Sequence, residues 1–181
     1  MKTLNSIQTL SKVAKTISRI IFVFAIVGAC LCAAGIISFA ANIDGMKLGG
    51  VTFKGLLQDT GSVSEGTLYA SIAQGIVYCI GTIILAKFSE LYFRHELEAG
   101  TPFTFDGAKE MLRLGILTVC ISFGEDIIAS IVYSILAKRL ADVSPASQTD
   151  AAASITIGIA FIVISLLCKH GAELSGEKTE E

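Results

Sequence analysis

The sequence predicts an all-α integral membrane protein: a four-helix antiparallel bundle with an amphipathic N-terminal segment and a cytoplasmic helical turn between spans two and three. Three observations lead there. The 181 residues are 52% hydrophobic and only 17% charged, with a mean hydropathy of +0.69, a balance too apolar for an ordinary soluble domain of this size. Four apolar runs, at about 20–41, 66–86, 114–136 and 151–168, approach or exceed the roughly 20 residues that carry a helix across a bilayer. Those runs are not broken by charges every turn or two, as the core helices of a soluble protein are. Residues 1–181 therefore form a single membrane domain.

The basic lead, Met1 to Arg19, places Leu4, Ile7, Leu10, Val13, Ile17 and Ile20 at helical steps, with Lys2, Lys12, Lys15 and Arg19 on or beside the other side. This pattern predicts an amphipathic helix that lies on anionic headgroups before turning into the first span, or else a charged flank that only sets topology. The span, Ile20 to Ala41, has no formal charge. Val27-Gly28-Ala29-Cys30 loosely resembles a lipoprotein cleavage box, but the apolar run continues well past Cys30, longer than a signal peptide requires, so cleavage is not expected. Small residues at Ala25, Gly28, Ala29, Cys32 and Gly35 let another helix approach.

Asn42 to Glu65 is glycine-rich and polar, an exposed connection with one short ordered piece expected around Val51 to Leu57. The second span, Gly66 to Ala86, gathers Thr67, Ser71, Gln74, Gly75, Tyr78, Gly81 and Thr82 on one face and Ile72, Ile76, Ile80, Ile83 and Ile84 on the other.

The third span, Leu114 to Leu136, carries the only deeply placed charges, Glu125 and Asp126. Each carboxylate at a helix centre costs roughly 2.5–3.5 kcal/mol to insert, against about 0.3–0.6 kcal/mol gained per Leu, Ile, Phe or Val. The twelve such apolar residues in the run just balance the pair, so the span needs partners. Gly115, Thr118, Ser122, Glu125, Asp126, Ala129 and Tyr133 share one meridian, and Ile116, Leu117, Cys120, Ile127, Ile128, Ile131 and Ile135 the opposite one. The first face suits protein and the second lipid. If spans two and three are neighbours, Gln74 and Tyr78 lie level with the acidic pair and can donate to it.

Between these spans, Lys87 to Arg113 is mixed in charge. The second helix is expected to continue to about Glu98 and to stop at Ala99-Gly100-Thr101-Pro102, with a new helix capped by Thr104. A polar loop with Lys138, Arg139 and Pro145 leads to the uncharged fourth span and a hydrophilic tail. The N-terminal lead, the second connection and the tail hold ten Lys and Arg, and the first and third connections four, which predicts that both termini are cytoplasmic.

Two segments resemble a known family. Gly100-Thr101-Pro102-Phe103-Thr104, continuing into Ala108-Lys109-Glu110-Met111-Leu112-Arg113-Leu114-Gly115, resembles the inter-span segment of a bacterial four-span family. The tail Lys169-His170-Gly171-Ala172-Glu173-Leu174, with Glu177, Thr179 and Glu181, is similar to that family's closing motif, though His170 replaces an aromatic and Ser175-Gly176 a polar run. The family is domain-of-unknown-function family two-nine-seven-five. The resemblance implies a multi-pass protein of the bacterial inner membrane, with genes that often neighbour a small helix-turn-helix regulator, and points to Gly100, Pro102, Phe103, Thr104, Gly171, Glu173 and Leu174 as motif residues. It assigns no catalytic residue.

Two roles fit the midplane set Glu125, Asp126, Gln74, Tyr78, Ser71 and Ser122: a protonatable or cation-binding centre, or a carboxylate pair that locks spans two and three by hydrogen bonds. His95 and His170 lack metal-ligand spacing, and the five cysteines form neither a CxxC pair nor a disulfide framework. No nucleophile elbow, P-loop or catalytic pair is present, so no enzyme, metal or cofactor is expected. The net charge of −2 does not favour direct nucleic acid binding. The expected function is that of a membrane accessory or regulatory protein acting through its cytoplasmic segments on a membrane partner, a second copy or the linked regulator. The alternative is a small proton- or cation-coupled transporter.

Overall fold

In a computed structural model, residues 2–40, 47–48, 51–52, 65–100, 103–140 and 151–174 are described. They comprise helix α1 (Lys2–Ala40), strands β1 (Lys47–Leu48) and β2 (Val51–Thr52), and helices α2 (Glu65–Ala99), α3 (Phe105–Arg139) and α4 (Ala151–Leu174). The fold is all-α apart from a minimal antiparallel ladder, Lys47 opposite Thr52 and Leu48 opposite Val51. The short ordered piece thus begins earlier than expected, and residues 53–57 lie outside the described residues. All four helices are long and apolar enough to cross a membrane. The protein is a four-span, multi-pass membrane protein by this criterion, its helices packing in chain order.

The N-terminal lead differs from expectation in one way. α1 is one helix of 39 residues, with no turn between lead and span, because no Gly or Pro precedes Gly28 to interrupt it. Within it Ser11 and Ser18 are buried, whereas Leu10 is 70% exposed and Val13, Ile17 and Ile20 are exposed as well. Small and weakly polar residues make the contacts between membrane helices, and large aliphatics face lipid, which is as apolar as they are. The same rule orders α4, where Gly158, Ser165 and Ala172 recur every seven residues on the buried side while Leu166 and Leu167 face out.

α3 follows the face assigned from sequence. Gly115, Thr118, Ser122, Ala129 and Tyr133 are buried, and Ile116, Ile127, Ile128, Ile131 and Ile135 are exposed.

The chain divides into two compact units, with boundaries inside α1, α2 and α3. The first comprises 1–24, 81–124 and 150–181. Its apolar centre is Tyr92, Met111 and Leu114, with Phe93 and Phe161 packed against it. α3 and α4 approach backbone to backbone there: a Cβ added to Gly115 would stand 2.9 Å from the Gly158 carbonyl oxygen, and one added to Gly158 3.1 Å from the Gly115 carbonyl oxygen. Only glycine permits this crossing. α1 meets α2 through Gln8 Nε2 donating to the Gly100 carbonyl at 3.4 Å and the Ser11 hydroxyl donating to Glu96 Oε1 at 2.8 Å. Lys87 Nζ lies 5.4 Å from the Phe22 ring centroid, within cation–π range.

The second unit comprises 25–80 and 125–149. In it Gly28 of α1 faces the Cys79 sulfur and Gly75 of α2 faces the Cys32 sulfur, 3.3 and 3.4 Å from the respective Cβ positions. Each thiol is thus seated on a glycine of the facing helix, and the Tyr69 hydroxyl donates to the Ile36 carbonyl at 3.5 Å. In both units, partners on α2 fall in number as those on α1 rise.

Candidate functional site

Two groups of residues singled out by the sequence are brought together, one in each unit. In the first unit, α2 ends at Gly100, whose φ of +76° lies in the left-handed region and whose N–H donates to the Glu96 carbonyl at 3.0 Å, a glycine C-cap. Pro102 lies outside the described residues. α3 then opens on Thr104, whose side-chain oxygen accepts the Gly107 N–H at 3.0 Å, satisfying a donor that the first helical turn cannot. Asp106 sits in that turn, where the helix dipole favours a negative charge.

The intervening Phe103 reaches the last turn of α4. A Cβ on Gly171 would stand 2.6 Å from Phe103 Cδ1 and 3.3 Å from Cγ and Cε1, so the ring fills the space that the missing side chain leaves. The inter-span and tail motifs therefore meet in space. Beyond this contact Ala172 is fully buried, whereas Glu173 is exposed and Leu174 is 77% exposed. Glu173 Oε2 lies 3.5 Å from His170 Nδ1 on the same helix.

Further polar residues stand close to the turn. Ser11 and Glu96 form the α1–α2 contact already described, and His95 Nδ1 lies 2.7 Å from Glu110 Oε1 across α2 and α3. Ser11 was not singled out by the sequence; the seven-residue recurrence of Ser11, Ser18 and Ala25 was the available signal for the buried face of α1. His95 and His170 have different acidic partners, and no three His, Cys, Asp or Glu converge on a point among the described residues.

In the second unit, α2 and α3 bring Tyr78 to Asp126: the phenol donates to Asp126 Oδ1 at 3.1 Å. Glu125 is half-buried, and its Oε1 is shielded from solvent with no hydrogen-bond partner among the described residues. Gln74 is half-buried on the preceding turn of α2. Ser71 is exposed, and its hydroxyl donates back to the Thr67 carbonyl at 2.9 Å. Ser122, in the first unit, is buried. This arrangement offers a hydrogen-bonded carboxylate beside a second, unsatisfied carboxylate oxygen, able to fasten helices or to exchange a proton.

Compared with family models, curated proteins and solved structures, the chain matches none. The resemblance noted above consequently rests on the motif residues themselves.

Proposed function

We propose that the protein is an accessory or regulatory component of the bacterial inner membrane, with both termini cytoplasmic, acting on a membrane partner or on a helix-turn-helix regulator through the α2–α3 turn and the end of α4. The observation that carries this reading is the packing of Phe103 on Gly171. It brings Phe103 of the inter-span segment against Gly171 of the tail segment, next to the exposed Glu173 and Leu174. An exposed leucine beside a carboxylate at the end of an anchored helix is the kind of apolar and charged contact that partner helices use.

The test is affinity purification of tagged protein from native membranes. A specific partner should copurify with the wild type and be lost when Glu173→Arg is combined with Leu174→Asp, with the helical content unchanged. Retention of the same partner by that variant would remove the α4 end from the interface.

A second reading, a small proton- or cation-coupled transporter, is favoured by one observation, the shielded and unpaired Glu125 Oε1 beside the Tyr78–Asp126 hydrogen bond. Its test is pH-driven proton uptake into liposomes holding purified protein alone. A transporter requires uptake that the Glu125→Gln, Asp126→Asn double variant abolishes, whereas identical traces from the two proteins discard it.

A further inference from the structure

In the first unit, α2 and α3 flank an open groove of about 370 Å³. One part of its wall is apolar, with Phe88 45% and Ile116 47% exposed and Leu117 beside them. The other part carries His95, Glu110 and Arg113. Glu110 is the only acidic residue in the lining and is engaged by His95 at 2.7 Å. Arg113 is exposed and has no ion pair or hydrogen bond among the described residues.

The position of the groove along the sequence gives its depth. Arg113 is the last charge before the uncharged stretch Leu114 to Gly124, and Lys87 is the first after the uncharged stretch Gly66 to Ala86. The groove therefore straddles the level where hydrocarbon gives way to headgroups, the depth at which basic side chains meet lipid phosphates. A guanidinium at that level is placed to pair with headgroup phosphates, and its planar fork suits two phosphate oxygens.

We propose that this groove holds one anionic phospholipid, its phosphodiester paired with Arg113 and an acyl chain lying along Phe88, Ile116 and Leu117. A zwitterionic lipid brings its own ammonium to compete for the phosphate, so the site discriminates by headgroup charge. The occupant is a lipid because Arg113, Ile116 and Leu117 line the same groove from one face of α3, at i, i+3 and i+4, which matches one molecule with a charged head and a hydrocarbon tail.

Native mass spectrometry of the full chain, released from detergent after equilibration with phosphatidylglycerol or with phosphatidylcholine of the same acyl chains, tests this. The wild type should retain one phosphatidylglycerol per chain at about fivefold higher occupancy than phosphatidylcholine, the order of preference expected of one basic side chain at an anionic lipid. Arg113→Gln should remove the preference and Arg113→Lys retain most of it, which separates loss of charge from loss of fold. Leu117→Trp, which fills the apolar wall, should lower retention of both lipids. Equal retention of the two lipids by the wild type would overturn the proposal, as would an unchanged preference in Arg113→Gln. Displacement by millimolar inorganic phosphate would show a free-anion site instead. A lipid-free dimer as the main species would show that a second copy occupies the groove.

Discussion

Phe103 and Gly171, far apart in the chain, are in contact so close that a Cβ on Gly171 would stand 2.6 Å from the ring. This contact fixes where α4 ends relative to the α2–α3 turn. Because Phe103 is 43% exposed, its ring has room to swing away. Gly171→Ala should therefore cost about 1 kcal/mol, the low end of overpacking, and raise amide exchange in the last turn of α4. In a Phe103→Ala background the same substitution should be nearly neutral, because the atom it strikes is gone. A double-mutant cycle read by hydrogen exchange checks both statements.

The α3–α4 crossing should respond differently. The atoms nearest a Cβ on Gly115 include the Gly158 carbonyl oxygen and the Ile162 backbone nitrogen, at 2.9 and 3.0 Å, and backbone cannot rotate away as a ring can. Gly115→Ala should destabilise by at least about 1–3 kcal/mol, more than Gly171→Ala. Gly124→Ala, where an added Cβ meets nothing within 4 Å, should be neutral or slightly stabilising through helix propensity. Reversible unfolding in mixed micelles ranks the three.

Ser11 supplies a prediction opposite to that of a simple surface helix. It is 4% exposed and donates to Glu96, so Ser11→Val should cost about 1–3 kcal/mol by leaving the carboxylate without its donor. Leu10→Ser, at a position 70% exposed, should leave unfolding nearly unchanged.

Tyr78 and Asp126 should couple as membrane hydrogen bonds do, by about 0.6 kcal/mol and at most about 1.7. A cycle of Tyr78→Phe and Asp126→Ala measures that coupling. A value near zero would mean that the 3.1 Å contact adds nothing to the fold.

The thiols of Cys32 and Cys79 should join under mild oxidation in a variant that keeps only those two cysteines, giving an intramolecular cross-link visible as a mobility shift. A variant keeping only Cys30 and Cys79 should not give that cross-link, since Cys30 stands two residues from Gly28, about 200° around α1.

The inward face of α3 was legible because its contrast is large: seven residues from Gly115 to Tyr133 are small or polar, and the opposite face is largely isoleucine. Helix ends at Gly100 and Thr104 were legible because caps are local chemistry. Ser71 shows where such reading stops. Its hydroxyl is satisfied by the carbonyl one turn back, a bond serine can make on any face of a helix, so polarity alone did not orient it. The buried side of the α1 lead rests on a weaker signal, small residues at Ser11 and Ser18 that let another helix approach. The Phe103–Gly171 contact has no local signal, since neither residue's neighbours announce the other.

The length of α1 has a mechanical consequence. At about 1.5 Å per residue, its 39 residues make a rod of about 58 Å, nearly twice the roughly 30 Å of a bilayer's oily interior. A stretch comparable to half the rod therefore projects beyond the lipid, and it is tied at Gln8 and Ser11 to the carbonyl of Gly100 and the carboxylate of Glu96. A displacement of the amino-terminal end of α1 is thus felt at the end of α2, beside the turn that seats Phe103 on Gly171.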